Sequence, residues 1–202
     1  MEDFSLTHAA IPPRMRELIF ARPEAKMFAY VLTLVGVLGH AIPHPWLPFT
    51  AVGGSLLYFG ARRPIWQGIF PVAALALSDY YLTTHVYSFP FAVHDYLLTW
   101  AWYAAVIVLG ALLLRTKPSI ARVVSGTLLA STSFFVVSNY AVWAAQVGMY
   151  PHTFSGLITC YAAGLPFYRN DLVSTGIVAG LAFGVPELLK QHEANKQART
   201  TL

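Results

Sequence analysis

Charged residues are scarce in this sequence. Asp, Glu, Lys and Arg make up 11% of its 202 residues, whereas 56% are hydrophobic. An average soluble domain carries roughly 25% charged residues, so a soluble fold of this length could not cover its surface with so few. Long apolar runs follow one another from Met27 onward, and such runs are typical of membrane helices. The composition therefore excludes an ordinary soluble domain and predicts an all-α integral membrane protein.

The sequence also lacks the short signatures of catalysis. It contains no Walker loop, GxGxxG, HExxH or CxxC motif, so it has no ATPase of its own and a non-enzymatic role is favoured. Cys160 is the only cysteine, which excludes an internal disulfide and leaves the redox compartment open. No signal-peptide pattern precedes the basic residues near the N-terminus, and we therefore expect that terminus to stay attached.

Six apolar segments are candidates to span the membrane. They cover about residues 26–42, 49–61, 64–82, 92–114, 119–145 and 172–189. A span ordinarily takes about 20 apolar residues, so the shorter segments need shelter from their neighbours. A further short helix is predicted at 153–167, between two prolines. The predicted organisation is a cytoplasmic N-terminal segment (1–25), a six-helix membrane domain (26–190) and a cytoplasmic C-terminal tail (191–202).

Basic residues concentrate on one side of this arrangement. With the N-terminus inside, the predicted cytoplasmic segments hold every one of the 13 Lys and Arg residues except Arg169. Cytoplasmic loops of membrane proteins are enriched in Lys and Arg. The bias predicts six spans with both termini in the cytoplasm, and it places the short helix at 153–167 on the outer side, where it would act as a lid.

Polar side chains concentrate on the opposite, outer side. Asp79 lies near the outer end of the third span, where an acid costs at least a few kcal/mol unless it is paired or hydrated. It therefore marks either a binding site or a helix cap in headgroup water. Arg169 breaks the charge bias, and its guanidinium offers a bidentate fork to a ligand or to Asp79. Asp171 is predicted to cap the N-terminus of the last span rather than to bind a ligand.

Further candidates carry weaker signals. Asn139 in the fifth span would bind either a neighbouring helix or a ligand. Tyr168 belongs either to an interfacial aromatic belt or to an amphiphilic pocket. His85 and His94 are candidate metal ligands, because imidazole suits transition metals. No compact metal spacing accompanies them, so exposed loop histidines are the competing interpretation.

The order of these motifs resembles a known group. SDYYL closes the third span, SNYAVW lies in the fifth, and YPHTFSGLITCYAAGLPF precedes a short last span. From about Phe28 to Leu188 the chain resembles an uncharacterised group of six-helix bacterial membrane proteins. That group in turn resembles the substrate-binding S-components of energy-coupling-factor transporters, in particular the solitary vitamin B12 S-component-like proteins.

The resemblance implies an S-component-like bundle in the bacterial inner membrane that captures a micronutrient from outside, with a separate energising complex as partner. His40, Asp79, Arg169 and Tyr96 would then be polar groups of the pocket. The implied ligand is cobalamin-like. The cysteine that solitary B12 proteins place near the start of the fourth span is missing from FPFAVHDYLL. Either His94 supplies a nitrogen ligand to a corrinoid instead, or the ligand is not a corrinoid.

We therefore predict a substrate-binding membrane protein for uptake of a small organic micronutrient, with no required cofactor and no nucleic-acid partner. The predicted substrate-binding residues are Asp79, Arg169, His40, Tyr96, Asn139 and Tyr168. One alternative is a structural or assembly subunit of a larger membrane complex, whose small-residue helix faces form its contacts. The other is a transition-metal transporter or a metal-dependent enzyme that uses the outer histidines.

Overall fold

The computed structural model describes residues 23–42, 49–116, 118–145 and 149–200. These residues form six α-helices and no strand, which confirms the predicted all-α class. The helices are α1 (Pro23–Ala41), α2 (Val52–Arg62), α3 (Ile69–Tyr81), α4 (Val93–Leu114), α5 (Ile120–Ala144) and α6 (Phe154–Thr200). A 3₁₀ turn, Ile65–Gly68, leads into α3, and a π-helical turn, Leu82–Val86, follows it. The predicted N-terminal segment, apart from 23–25, lies outside the described residues.

Contacts between the helices define an up-and-down bundle. Gly164 faces Asn139 and Gly176 faces Thr127, so α5 and α6 run antiparallel. Gly53 faces Thr175, and farther along both helices the Tyr58 ring contacts the Phe183 ring. These two contacts show that α2 runs parallel to α6. Helices that follow one another in the chain alternate in direction, as short connections favour.

The short helix α2 forms the centre of the bundle. Every residue from Val52 to Ala61 is buried. Gly60 lies against the carbonyl group of Ile107, and Gly110 of α4 lies against the carbonyl group of Leu57. Because neither glycine has a Cβ, the two backbones approach more closely than other residues would allow. With 11 residues, α2 is roughly 16 Å long, so it reaches through only about half of a hydrocarbon core of about 30 Å.

Arginines tie together one end of the bundle, which we call the arginine end. The Arg115 guanidinium donates hydrogen bonds to the carbonyl groups of Gly60 and Arg63, at 2.9 and 2.8 Å. These bonds satisfy carbonyls at the C-terminus of α2, which have no partner within their own helix. Burial lowers the pKa of Arg115, although a guanidinium stays protonated at neutral pH. Arg62 lies over the rings of Tyr58 and Phe183.

The last helix corrects the prediction of a separate short helix at 153–167. α6 is continuous from Phe154 to Thr200, with Pro166 and Pro186 inside it. Pro166 removes one helical hydrogen bond, but contacts with α5 hold the chain on both sides of it. Tyr161 donates to the Val136 carbonyl at 2.8 Å, and the Tyr168 hydroxyl lies 2.9 Å from that of Thr132. The predicted N-cap at Asp171 is therefore also wrong, because Asp171 lies within α6.

Among the described residues, three helical segments are long and apolar enough to cross a membrane: Val93–Leu114, Ile120–Ala144 and the segment Phe154–Leu188 of α6. A shorter apolar helix covers Ala25–Ala41. Large apolar side chains on these helices face outward, including Leu112, which is 74% exposed. Monomeric soluble proteins rarely expose apolar surface on this scale. Helix length and surface composition together suggest membrane association.

Candidate functional site

A cavity of about 730 Å³ lies within the bundle, on the side away from the arginine end. Its aromatic lining consists of Phe49, Tyr87, Trp102, Tyr103, Phe134, Phe135, Phe167 and Tyr168. Its polar lining consists of His40, Thr50, Ser131, Ser138, Asn139, Asn170 and Asp171. Ile42, Val52 and Gly164 complete the described lining. The N-terminus of α2 thus borders the cavity, and the walls come from α1, α4, α5 and α6.

His40 is held at the cavity by an acid behind it. Asp79 is 7% exposed and does not line the cavity. Its Oδ1 atom lies 2.8 Å from Nε2 of His40, and its Oδ2 atom accepts a hydrogen bond from Trp100 Nε1–H at 2.9 Å. An ionised Asp79 makes Nε2 the donor nitrogen of the ring. The other ring nitrogen, Nδ1, makes no hydrogen bond within the described residues.

The α5–α6 wall contains two more of the predicted residues. Asn139 donates from Nδ2 to the Phe135 carbonyl at 2.8 Å, and the absence of a side chain at Gly164 makes room for its Oδ1 atom. The Tyr168 ring stacks on Phe135 with centroids 4.8 Å apart. Both side chains line the cavity. Cys160 lies behind this wall, with its sulfur 3.3 Å from the Asn139 carbonyl oxygen.

Asp171 lies on the same wall, nearer to the arginine end than Tyr168. The hydroxyl groups of Ser131 and Thr175 lie beside its carboxyl group. Even so, neither the Asp171 Oδ2 atom nor the two hydroxyl oxygens complete a hydrogen bond of normal geometry within the described residues. Ser131 and Asp171 line the cavity, so a carboxylate is available to whatever the cavity binds.

The other predicted site residues lie away from the cavity. Arg169 is exposed and does not line it, and Asp79 pairs with His40 and Trp100 rather than with Arg169. Tyr96 lies behind Asp79, where its hydroxyl bonds to that of Thr83. The role of Arg169 and Tyr96 in binding stays a prediction.

The two predicted metal ligands are surface residues. The His94 side chain is 81% exposed and lies 3.2 Å from Asp95. His85 is exposed, its Nδ1 atom lies 2.6 Å from the Thr84 hydroxyl, and its ring stacks on Tyr81. Within the part of the chain that the structure describes, no three His, Cys, Asp or Glu side chains are grouped to hold a metal ion.

Sequence reasoning missed Asp171 and the aromatic residues Trp102, Phe134 and Phe135 as parts of the site. A usable signal was present for the first. Thr127 and Ser131 are four residues apart, as are Asp171 and Thr175, and residues at that spacing share one face of a helix. Two polar faces in neighbouring apolar helices would have indicated a shared site.

The chain belongs to DUF6580, a family of unknown function, which matches residues 21–198. No curated protein and no solved structure matches it.

Proposed function

We propose that this member of DUF6580 is a substrate-binding membrane protein for uptake of a small organic micronutrient. The observation that carries the proposal is the cavity of about 730 Å³. Sites for small molecules ordinarily measure about 300–1,000 Å³, with apolar walls and a few polar groups that fix the ligand's orientation. The lining described above has this composition.

The lining also suggests how a ligand would be held. Rings of Trp102, Phe134 and Phe135 would cover an apolar or aromatic body, since stacked and edge-on ring contacts add to the burial of apolar area. Nδ1 of His40 would meet one polar group. The Asp171 carboxylate would meet a donor or a positive charge on the opposite wall. Because lining aromatics outnumber charged groups, we infer a ligand that is mostly apolar with a few polar substituents.

Charge distribution supports capture from outside the cell. We propose six spans in a bacterial inner membrane with both termini in the cytoplasm. On the positive-inside rule, the arginine end faces the cytoplasm. The cavity lies on the other side of the bundle and would therefore receive its ligand from outside. A separate energising complex that drives release inward is part of the same proposal.

Mass spectrometry of small molecules that accompany the untagged full-length chain in mild detergent tests the proposal. We expect one organic compound in near-stoichiometric amount, and the same preparation would show any stoichiometric metal. The compound is then titrated into ligand-free protein, with a corrinoid and other vitamins as a comparison panel. Absence of any bound compound, together with no binding from the panel by folded protein, would overturn the proposal.

His40→Ala and His94→Ala form a matched pair for this assay. Both remove an imidazole, but only His40 lines the cavity, whereas the His94 side chain is 81% exposed. We expect His40→Ala to weaken binding about tenfold, as the loss of one well-placed hydrogen bond does, and His94→Ala to bind as the wild type does. Equal affinities in the two variants would remove His40 from the site.

A further inference from the structure

Four oxygen-bearing side chains meet where α5 and α6 face one another. Thr127 and Ser131 are one turn apart on α5, and Asp171 and Thr175 are one turn apart on α6. The two helices are antiparallel, and the hydroxyls of Ser131 and Thr175 lie beside the Asp171 carboxyl group. Thr127 turns its Cγ2 methyl group toward the next residue of α6, Gly176. We call these four side chains the oxygen cluster.

The three hydroxyl side chains of the oxygen cluster are buried, Asp171 is half-buried, and one oxygen of each side chain lacks a partner. Thr127, Ser131 and Thr175 are 6%, 1% and 0% exposed. Within the described residues, Thr127 Oγ1, Ser131 Oγ, Thr175 Oγ1 and Asp171 Oδ2 make no hydrogen bond of normal geometry. Buried hydroxyl and carboxyl oxygens are bonded in the large majority of cases. The oxygens of Ser131, Thr175 and Asp171 lie side by side, and their incomplete bonding therefore indicates a ligand that these three side chains share.

Other hydroxyls on the same helices show the usual arrangement. Ser138 on α5 donates to the Phe134 carbonyl at 2.6 Å, and Ser174 on α6 donates to the Asn170 carbonyl at 2.7 Å. Hydroxyls in apolar helices commonly bond to the preceding turn in this way. The three hydroxyls of the oxygen cluster do not, although the backbone of each helix offers the same carbonyls. Ser131 and Thr175 also differ from Ser138 and Ser174 in lying beside the Asp171 carboxyl group.

The charge of the oxygen cluster points to the ligand's chemistry. Among the described residues Asp171 forms no ion pair. The two ion pairs there join His40 to Asp79 and His94 to Asp95. An unpaired carboxylate inside a membrane bundle is costly and ordinarily marks an ion or substrate pathway. Carboxylate and hydroxyl oxygens suit hard cations. A single carboxylate neutralises one positive charge, which favours a monovalent cation over a divalent one.

The N-terminus of α2 is a neighbour of the oxygen cluster, because Gly53 lies against the Thr175 hydroxyl. A helix N-terminus carries about half a positive charge, which opposes a cation. One backbone N–H group of this N-terminus already has a partner, since the Val52 amide donates to the Thr50 hydroxyl at 3.3 Å. An ionised Asp171 carries a full negative charge, which exceeds the remaining positive potential, so the local sign is negative at a pH where this carboxyl group is ionised.

We propose that the oxygen cluster is a binding site for a monovalent alkali cation, which Asp171, Ser131 and Thr175 coordinate through side-chain oxygens. Ser131 and Asp171 also line the cavity. If the proposed function holds, a cation and a cavity ligand would contact the same wall, and binding of one would raise the affinity for the other. The cation site itself does not depend on that function.

Thermal unfolding and direct ²²Na⁺ binding of the full-length chain in detergent test the site. NaCl, LiCl and KCl are compared with choline chloride at constant ionic strength and at a pH where carboxylates are ionised. We expect at least one alkali cation to raise the unfolding temperature saturably. Asp171→Asn should weaken its binding at least tenfold, and Ser131→Ala and Thr175→Val should weaken it several-fold. Asp95→Asn and Ser174→Ala are the matched controls, and both should retain wild-type affinity.

Three results would overturn the cation site. One is equal stability in choline and in every alkali salt. Another is a salt response that Asp171→Asn, Ser131→Ala and Thr175→Val all leave unchanged. The third is stability that depends on pH through Asp171 with no alkali response, which would mean that a proton occupies the carboxyl group. If the protein shows no cation response but still captures an organic compound, only the cation site is overturned. If it responds to cations but captures no compound, only the proposed uptake function is overturned.

Discussion

Asp79 acts on the cavity without touching it. Its two oxygens bond to His40 and Trp100, at 2.8 and 2.9 Å, and only the His40 ring reaches the cavity lining. A ring held at one nitrogen presents the other in a defined direction, as metal-binding histidines do when a carboxylate orients them. We therefore expect Asp79 to position His40 rather than to contact a ligand, and its two hydrogen bonds compensate for its burial.

Replacement of Asp79 by Asn tests this role. The amide offers one acceptor oxygen in place of the two that bond to Trp100 and His40. One of these two donors therefore loses its acceptor, and His40 keeps a bond at Nε2 only if its ring hydrogen moves to Nδ1. An unsatisfied buried group costs about 1–3 kcal/mol, and we expect the free energy of unfolding to fall by that amount. Chemical denaturation in detergent measures it. Asp95→Asn, at an exposed acid, is the control, and equal stability of the two variants would contradict the role of Asp79.

Close packing between α2 and α4 depends on glycines, which have no side chain. α2 and α4 meet through Gly60 and Gly110, each of which lies against a carbonyl group of the other helix. A backbone carbonyl cannot rotate away as a side chain can, so a methyl group at either position must push the helices apart. The same contact positions α2 at the bundle centre, and hence its N-terminus beside the cavity.

Gly110→Ala should therefore destabilise the bundle. Overpacking of a tight contact costs about 1–3 kcal/mol, partly offset by the higher helix propensity of alanine, about 1 kcal/mol. Gly180→Ala is the matched control, because a Cβ there meets nothing within 4 Å. We expect it to raise the unfolding temperature slightly while Gly110→Ala lowers it. A Gly110→Ala protein as stable as Gly180→Ala would show that the α2–α4 contact is looser than described.

At the scale of the whole molecule, the two ends differ in chemistry. Arg62, Arg63 and Arg115 lie at one end, bound to carbonyls and aromatic rings. The cavity lies on the other side of the bundle. An apolar outer surface connects the two ends. Such a surface suits a bilayer, and the difference between the ends would fix the direction in which the molecule inserts.

Labelling of single cysteines measures the direction in which the molecule inserts. In a Cys160→Ser background, His94→Cys and Thr116→Cys each carry one exposed thiol, at opposite ends of α4. In intact cells, a membrane-impermeant maleimide should label the thiol at 94 readily, and the thiol at 116 only after the cells are opened. Labelling of the thiol at 116 alone in intact cells would reverse the proposed orientation, and labelling of both would contradict a membrane location between them.

Positions of the helices were largely predictable from the sequence, because an apolar run and its bounding prolines or charges are local features. The predicted segments 92–114 and 119–145 agree closely with Val93–Leu114 and Ile120–Ala144. Asp79 was likewise identifiable as a candidate, since a polar side chain in an apolar run costs free energy wherever its partner lies, whereas His40 was a candidate through the resemblance to S-components. The inferences about the helices and Asp79 need only the residue and its neighbours in the chain.

Which side chains form the site could not be predicted from such local features. Pro166 suggested a helix end, but contacts of Tyr161 and Tyr168 with α5 keep the chain helical through it. That continuity sets which face of α6 meets α5, and it leaves Arg169 exposed while Asp171, two residues on, lines the cavity. Successive helical residues point about 100° apart, so a local sequence rule cannot tell which side chain faces inward. Packing between segments distant in the chain makes that choice.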